Sequence, residues 1–114
     1  MIQSASTQPT QRGVTLYQLC KADVRAVDSS GPPTVDNIEG KVCEAYILGF
    51  IDGVVVGDKT ICVNGATPET LARVYVTWME NHPKLMDEPK RAGLYQALAV
   101  EYPCSALVGP RDKP

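Results

Sequence analysis

Four cysteines, Cys20, Cys43, Cys62 and Cys104, are scattered through a chain of 114 residues, and they constrain its fold more than any other feature. No two of them stand in a CxxC pair, and there is a single histidine, His82. A structural zinc site needs clustered ligands on closely spaced knuckles, so no metal site is expected. An even number of dispersed cysteines in a short chain reads as two disulfides, and hence as an oxidising compartment. Four reduced thiols packed as small hydrophobes in a cytosolic protein are the competing reading. A chain of this length buries only about two thirds of its unfolded surface, so covalent staples matter to it.

The charge balance removes other classes. Eleven Lys and Arg stand against thirteen Asp and Glu, a net charge of -2, and no single-sign run exceeds two residues. Nucleic acid is therefore not an expected partner, because phosphate binding needs a basic face. No stretch reaches the roughly 18 apolar residues of a membrane span, so membrane insertion is not expected either. Met1 to Gly13 (MIQSASTQPTQRG) contains neither a basic n-region nor an apolar h-region. The chain thus reads as starting near a mature N-terminus, with residues 1–13 a disordered arm, 14–105 a single helical domain and 106–114 a loose tail.

Within that domain the apolar residues recur at helical spacing. Leu16, Leu19, Cys20, Val24 and Val27 define a first helix, broken by the Ser29-Ser30-Gly31-Pro32-Pro33 run. A second helix opens at Asp36, with Glu39 completing a capping-box pattern. It continues through Cys43, Tyr46, Ile47, Phe50, Ile51 and Val54, with Ala45 and Leu48 broadening the stripe. So wide a stripe predicts the central, most buried helix, fraying over Val54–Val56 and stopped by Gly57. Gly49 and Gly53 each cost about 1 kcal/mol against Ala in a helix, which a close helix crossing would explain.

Thr67-Pro68-Glu69 is a helix start with Thr at the N-cap, Pro at N1 and an acid in the first turn. Leu71, Val74, Tyr75, Trp78 and Met79 follow on one face, and Pro83 ends the helix at His82. Asp87 is expected to cap a fourth helix. Its apolar face is Leu94, Tyr95, Leu98 and Tyr102, and Pro103 closes it. Four helices with short connections predict an all-α fold, a compact four-helix domain stapled by two disulfides. Of the three possible connectivities, sequential pairing fits the helix order: Cys20 with Cys43, and Cys62 with Cys104.

No catalytic constellation emerges. A Cys/His nucleophile pair would need a free thiol beside His82, which pairing of all four cysteines removes. His82 at a helix end reads instead as a cap. Asp52, flanked by Ile51 and Gly53, lies at the edge of the apolar stripe and reads as a solvated boundary acid. There is no glycine-rich phosphate loop, GxSxG elbow or metal-ligand pair on one helix turn. No cofactor is expected.

A larger pattern runs from Cys43 to Cys104: CEAYILGFIDGV, then ICVNGATPETLARVYVTWMENHPKLM, then LYQALAVEYPC. It resembles the Rap/Tai immunity proteins in a Cys-x-x-Tyr-Ile-x-Gly-x-x-Asp helix (Cys43, Tyr46, Ile47, Gly49, Asp52), a Cys near a polar turn (Cys62), a helix ending His82-Pro83 with Leu85 beyond, and a final Tyr102-Pro103-Cys104. Two details differ. Asp87 stands where the family tends to have a second His, and Val63 is followed by Asn64 where it usually has Pro. The resemblance implies a non-catalytic, periplasmic, usually homodimeric protein that binds and occludes a cell-wall amidase effector of type VI secretion. A small envelope chaperone or ligand-binding helical module is the alternative, and an enzyme using Asp52 and His82 a more distant one. For an inhibitory protein the partner-binding residues are expected on rigid loops. The candidates are His82, Lys84, Asp87 and Glu88 in the corner after the third helix, and Asp58 and Lys59 in the turn before Cys62.

Overall fold

A computed structural model describes residues 11–57 and 59–104. The expected arm and tail fall largely outside these residues, and so does Asp58. The chain forms α1 (Gly13–Asp28), α2 (Val35–Phe50), a π-helical turn (Ile51–Val55), α3 (Pro68–Asn81), a 3-10 turn (Pro83–Asp87) and α4 (Lys90–Glu101). The all-α, four-helix expectation holds. The described residues contain no strand, only the isolated bridges Arg12–Pro89 and Ile61–Pro103.

Local chemistry explains the boundaries. At α3 the Thr67 hydroxyl accepts the Thr70 N–H at 3.1 Å, with Pro68 at the first helical position, as the sequence predicts. At α2 the cap differs from the expectation. Thr34, not Asp36, is the N-cap: its hydroxyl accepts the Asp36 N–H at 3.2 Å, and its own N–H donates to Asn37 Oδ1 at 2.7 Å. The Asp36 carboxylate instead accepts from Arg25 of α1 at 3.1 Å. The segment after Phe50 is a π-helical turn, not a fraying end. Asp87 does not cap α4 either; Pro89 is its N-cap, and Asp87 closes the 3-10 turn.

Leu16 and Cys20 of α1, Cys43 and Ile47 of α2, Leu71, Tyr75 and Met79 of α3, and Leu94 and Leu98 of α4 are fully buried. Burial of each large aliphatic side chain contributes roughly 1.5–3 kcal/mol. The centre is held by α1 and α3, each of which packs against all three other helices. On α2 only Gly40, Cys43, Glu44, Ile47 and Phe50 are buried, while Val35, Ile38, Val42 and Leu48 are exposed, so it is not the most buried helix. Periodicity detects an apolar stripe but cannot say whether a neighbour covers it.

Nor do Gly49 and Gly53 mark a crossing among the described residues: a Cβ added at either would meet none of their atoms within 4 Å beyond its own helix backbone. The close approaches are at Gly13, where a Cβ would run into the Leu85 carbonyl oxygen, at Gly40, where it would lie 2.7 Å from Asp23 Cα, and at Gly93, where it would lie 2.5 Å from Met79 Sδ. Gly40 lets α1 and α2 meet next to the Cys20–Cys43 disulfide, whose Cα atoms are 5.0 Å apart. The second disulfide, Cys62–Cys104, joins the loop before α3 to the end of α4. Both pairings are the sequential ones expected. Around the second, the Cys62 N–H donates to Tyr102 O at 2.8 Å and the Cys104 N–H to Thr60 O at 3.1 Å.

Candidate functional site

The corner after α3 is built from the end of one helix and the start of another. His82 is the C-cap of α3, and its backbone N–H donates to Met79 O at 3.1 Å. Its ring stacks on the Trp78 indole at 3.9 Å between centroids, and Nδ1–H donates to Trp78 O at 2.8 Å. The expected capping role of His82 is thus realised through the side chain. Pro83 then turns the chain, and the 3-10 turn is held by the Leu85 N–H donating to His82 O at 2.9 Å and the Glu88 N–H to Leu85 O at 3.1 Å.

The corner is also anchored from outside. The Gly13 N–H donates to Glu88 O at 2.8 Å, Arg12 forms an ion pair with Asp87, and the Tyr75 hydroxyl donates to Gly13 O at 3.2 Å. Leu85 and Met86 pack against the core. His82, Lys84, Asp87 and Glu88 nevertheless stay exposed. The result is a short, braced backbone carrying polar side chains outward, and such a segment binds with little ordering cost. On the last turn of α3, Glu80 accepts from Tyr17 at 2.7 Å and Lys21 at 2.8 Å. The Lys21 hydrogen bond, then that from Tyr17, holds the Glu80 carboxyl below its usual range.

The second expected loop lies apart from this corner in sequence. Lys59 is exposed and borders a groove formed with Val56, Ile61 and Val63 beside the Cys62–Cys104 disulfide. On α3, Arg73 and Thr77 line another groove with Trp78 and Glu101, and Arg73 donates to Asp28 at 2.8 Å. Asp52 is exposed on the π-helical turn. The described residues contain no free cysteine and no cluster of His, Cys, Asp and Glu able to hold a metal ion. No described helix is long and apolar enough to cross a membrane.

Asp23 of α1 and Glu44 of α2, which the sequence does not single out, are 4% and 8% exposed, side by side in the seam that Gly40 opens. Burial, then the hydrogen bond and charge of Glu44, push the Asp23 carboxyl up to about 7. Lys41 faces Glu44 at 3.4 Å from the solvent side. Alternation of polar and apolar residues could not reveal this pair, because both acids stand where a solvated position is the usual reading.

No curated protein and no solved structure matches the chain. The sequence model of the Rap1a immunity proteins, in contrast, matches residues 12–104, which include all four helices, both disulfides and the braced corner. The chain belongs to the Rap1a immunity protein family.

Proposed function

We propose that this protein is a non-catalytic periplasmic immunity protein that binds a secreted cell-wall amidase effector of type VI secretion and occludes its cleft, working as a homodimer. The observation that carries this reading is the corner from His82 to Glu88, whose backbone is fastened to α1 while Lys84, Asp87 and Glu88 project outward. Two disulfides suit an oxidising compartment outside the cytoplasm. Asp58 and Lys59 form the second contact region of the proposal.

The test is binding to a panel of peptidoglycan amidases, followed by Lys84→Ala, Asp87→Ala and Lys59→Ala with the amidase that binds. A contact at the centre of the interface is expected to cost more than about 1 kcal/mol, with the helical circular-dichroism signal unchanged. Asp87→Ala also removes the Arg12 ion pair, so its folding is checked separately. Absence of binding to every amidase overturns the amidase reading. Undiminished affinity in all three variants moves the contact to the α3 face around Arg73 and Thr77.

A further inference from the structure

The most conspicuous surface of the molecule is one that no part of the described chain covers. Val35, Ile38 and Val42 are 63%, 68% and 50% exposed along α2. Together with Ala45 and Gly49 they fall within about 80° around the helix axis, at 3.6 residues per turn. Gly49 and Gly53 carry a helix-propensity cost of about 1 kcal/mol each that no close contact among the described residues offsets. Bulky aliphatic residues at one end and glycines at the other make this face complementary to itself when reversed.

Resting on the homodimer part of the function proposed above, we infer that two copies pack α2 against α2 in antiparallel fashion, with the two-fold axis passing between positions 45 and 46. Val42 of each copy then sits over Gly49 of the other, and Ile38 lies toward Gly53. Carrying the α2 period on into the π-helical turn puts Lys41, which reaches Glu44 within its own chain, and Asp52 on the same flank of the stripe. A two-fold axis across antiparallel helices brings matching flanks together, and with this register the two residues stand within about 3 Å of one another along the axis, at 1.5 Å per residue. The dimer therefore gains two Lys41–Asp52 pairs. The face extends about 27 Å from Val35 to Gly53, so the association is at the small end of specific interfaces.

The experiment is sedimentation of the oxidised chain over a concentration series. The wild type is expected to reach twice its 12.3 kDa. In Gly49→Val the added Cβ has no described atom outside its own helix backbone within 4 Å, but the valine stands against Val42 of the other copy and is expected to weaken association by about tenfold or more. The double variant Val42→Gly with Gly49→Val exchanges knob and hole and is expected to restore it. Asp52→Lys, at an exposed position, is expected to weaken association most at low salt. A wild type that stays monomeric at several hundred micromolar overturns both this inference and the homodimer reading. A dimer indifferent to Gly49→Val and Asp52→Lys overturns the α2 face alone and leaves the homodimer reading standing. A dimer lost in Gly49→Val and not recovered in the double variant overturns the antiparallel register.

Discussion

The buried Asp23–Glu44 pair makes stability depend on pH in an unusual direction. Asp23 has an ordinary value of 3.8 and is pushed up to about 7 in the fold, first by burial, then by the hydrogen bond and charge of Glu44, then by the charge of Glu69. Lys41 opposes the shift, and Arg73 also feels the Asp23 charge. Between these two values the folded chain holds a proton that the unfolded chain has released. This contribution to stability is fully present below about pH 4, falls as pH rises through 7, and is absent above. Three pKa units at 1.36 kcal/mol each set a ceiling of about 4 kcal/mol, and water reaching the seam reduces the working figure to about 2 kcal/mol. Urea unfolding of the oxidised chain at a series of pH values measures it. Stability is expected to rise from pH 8 to pH 5. In stronger acid it is expected to fall as Asp36 and Glu80, whose carboxyls are held low by Arg25 and by Lys21 with Tyr17, become protonated. Asp23→Asn, which keeps a donor for Glu44 without a titrating proton, is expected to flatten the slope between pH 5 and 8. A wild type whose stability is level or increases from pH 5 to 8 refutes the argument, as does an unchanged slope in Asp23→Asn.

Three other sets of substitutions test the packing. Replacing both members of a disulfide by serine is expected to cost about 3.4 kcal/mol for Cys20–Cys43 and about 3.9 kcal/mol for Cys62–Cys104 by the chain-entropy model, read as shifts in urea midpoint. Gly40→Ala drives a methyl group into the backbone of Asp23 and is expected to lower the melting temperature more than Gly93→Ala, whose methyl meets the side-chain sulfur of Met79 rather than backbone. Thr67→Ala removes the α3 cap and is expected to cost about 1 kcal/mol in the same unfolding assay.

Most interactions confined to one segment were legible in the sequence, whereas those between segments, apart from the two disulfides whose sequential pairing followed the helix order, were not. Helix α3 was readable because Thr67, Pro68 and the Leu71-to-Met79 stripe act within a few turns. The corner at His82 and Pro83 was readable as a stop, since proline restricts the residue before it. Its anchoring was not, because the contacts come from Arg12 and Gly13, far away in sequence. The cap at Thr34 was missed because Asp36 offered a competing pattern two residues later, and the choice fell to Arg25, which takes Asp36 as its partner.

The four cysteines, the capping residues and the apolar spacing determined by themselves an all-α chain with two bridges, since each depends on covalent chemistry or on neighbours within a few turns. Only the tertiary structure decided which stripe is covered. It put α1 and α3 at the centre, left the outer face of α2 uncovered by the described residues, buried Asp23 against Glu44, and set Gly40 rather than Gly49 at the close crossing. The physical reason is that burial is a property of the space between segments, which helical periodicity within one segment does not contain.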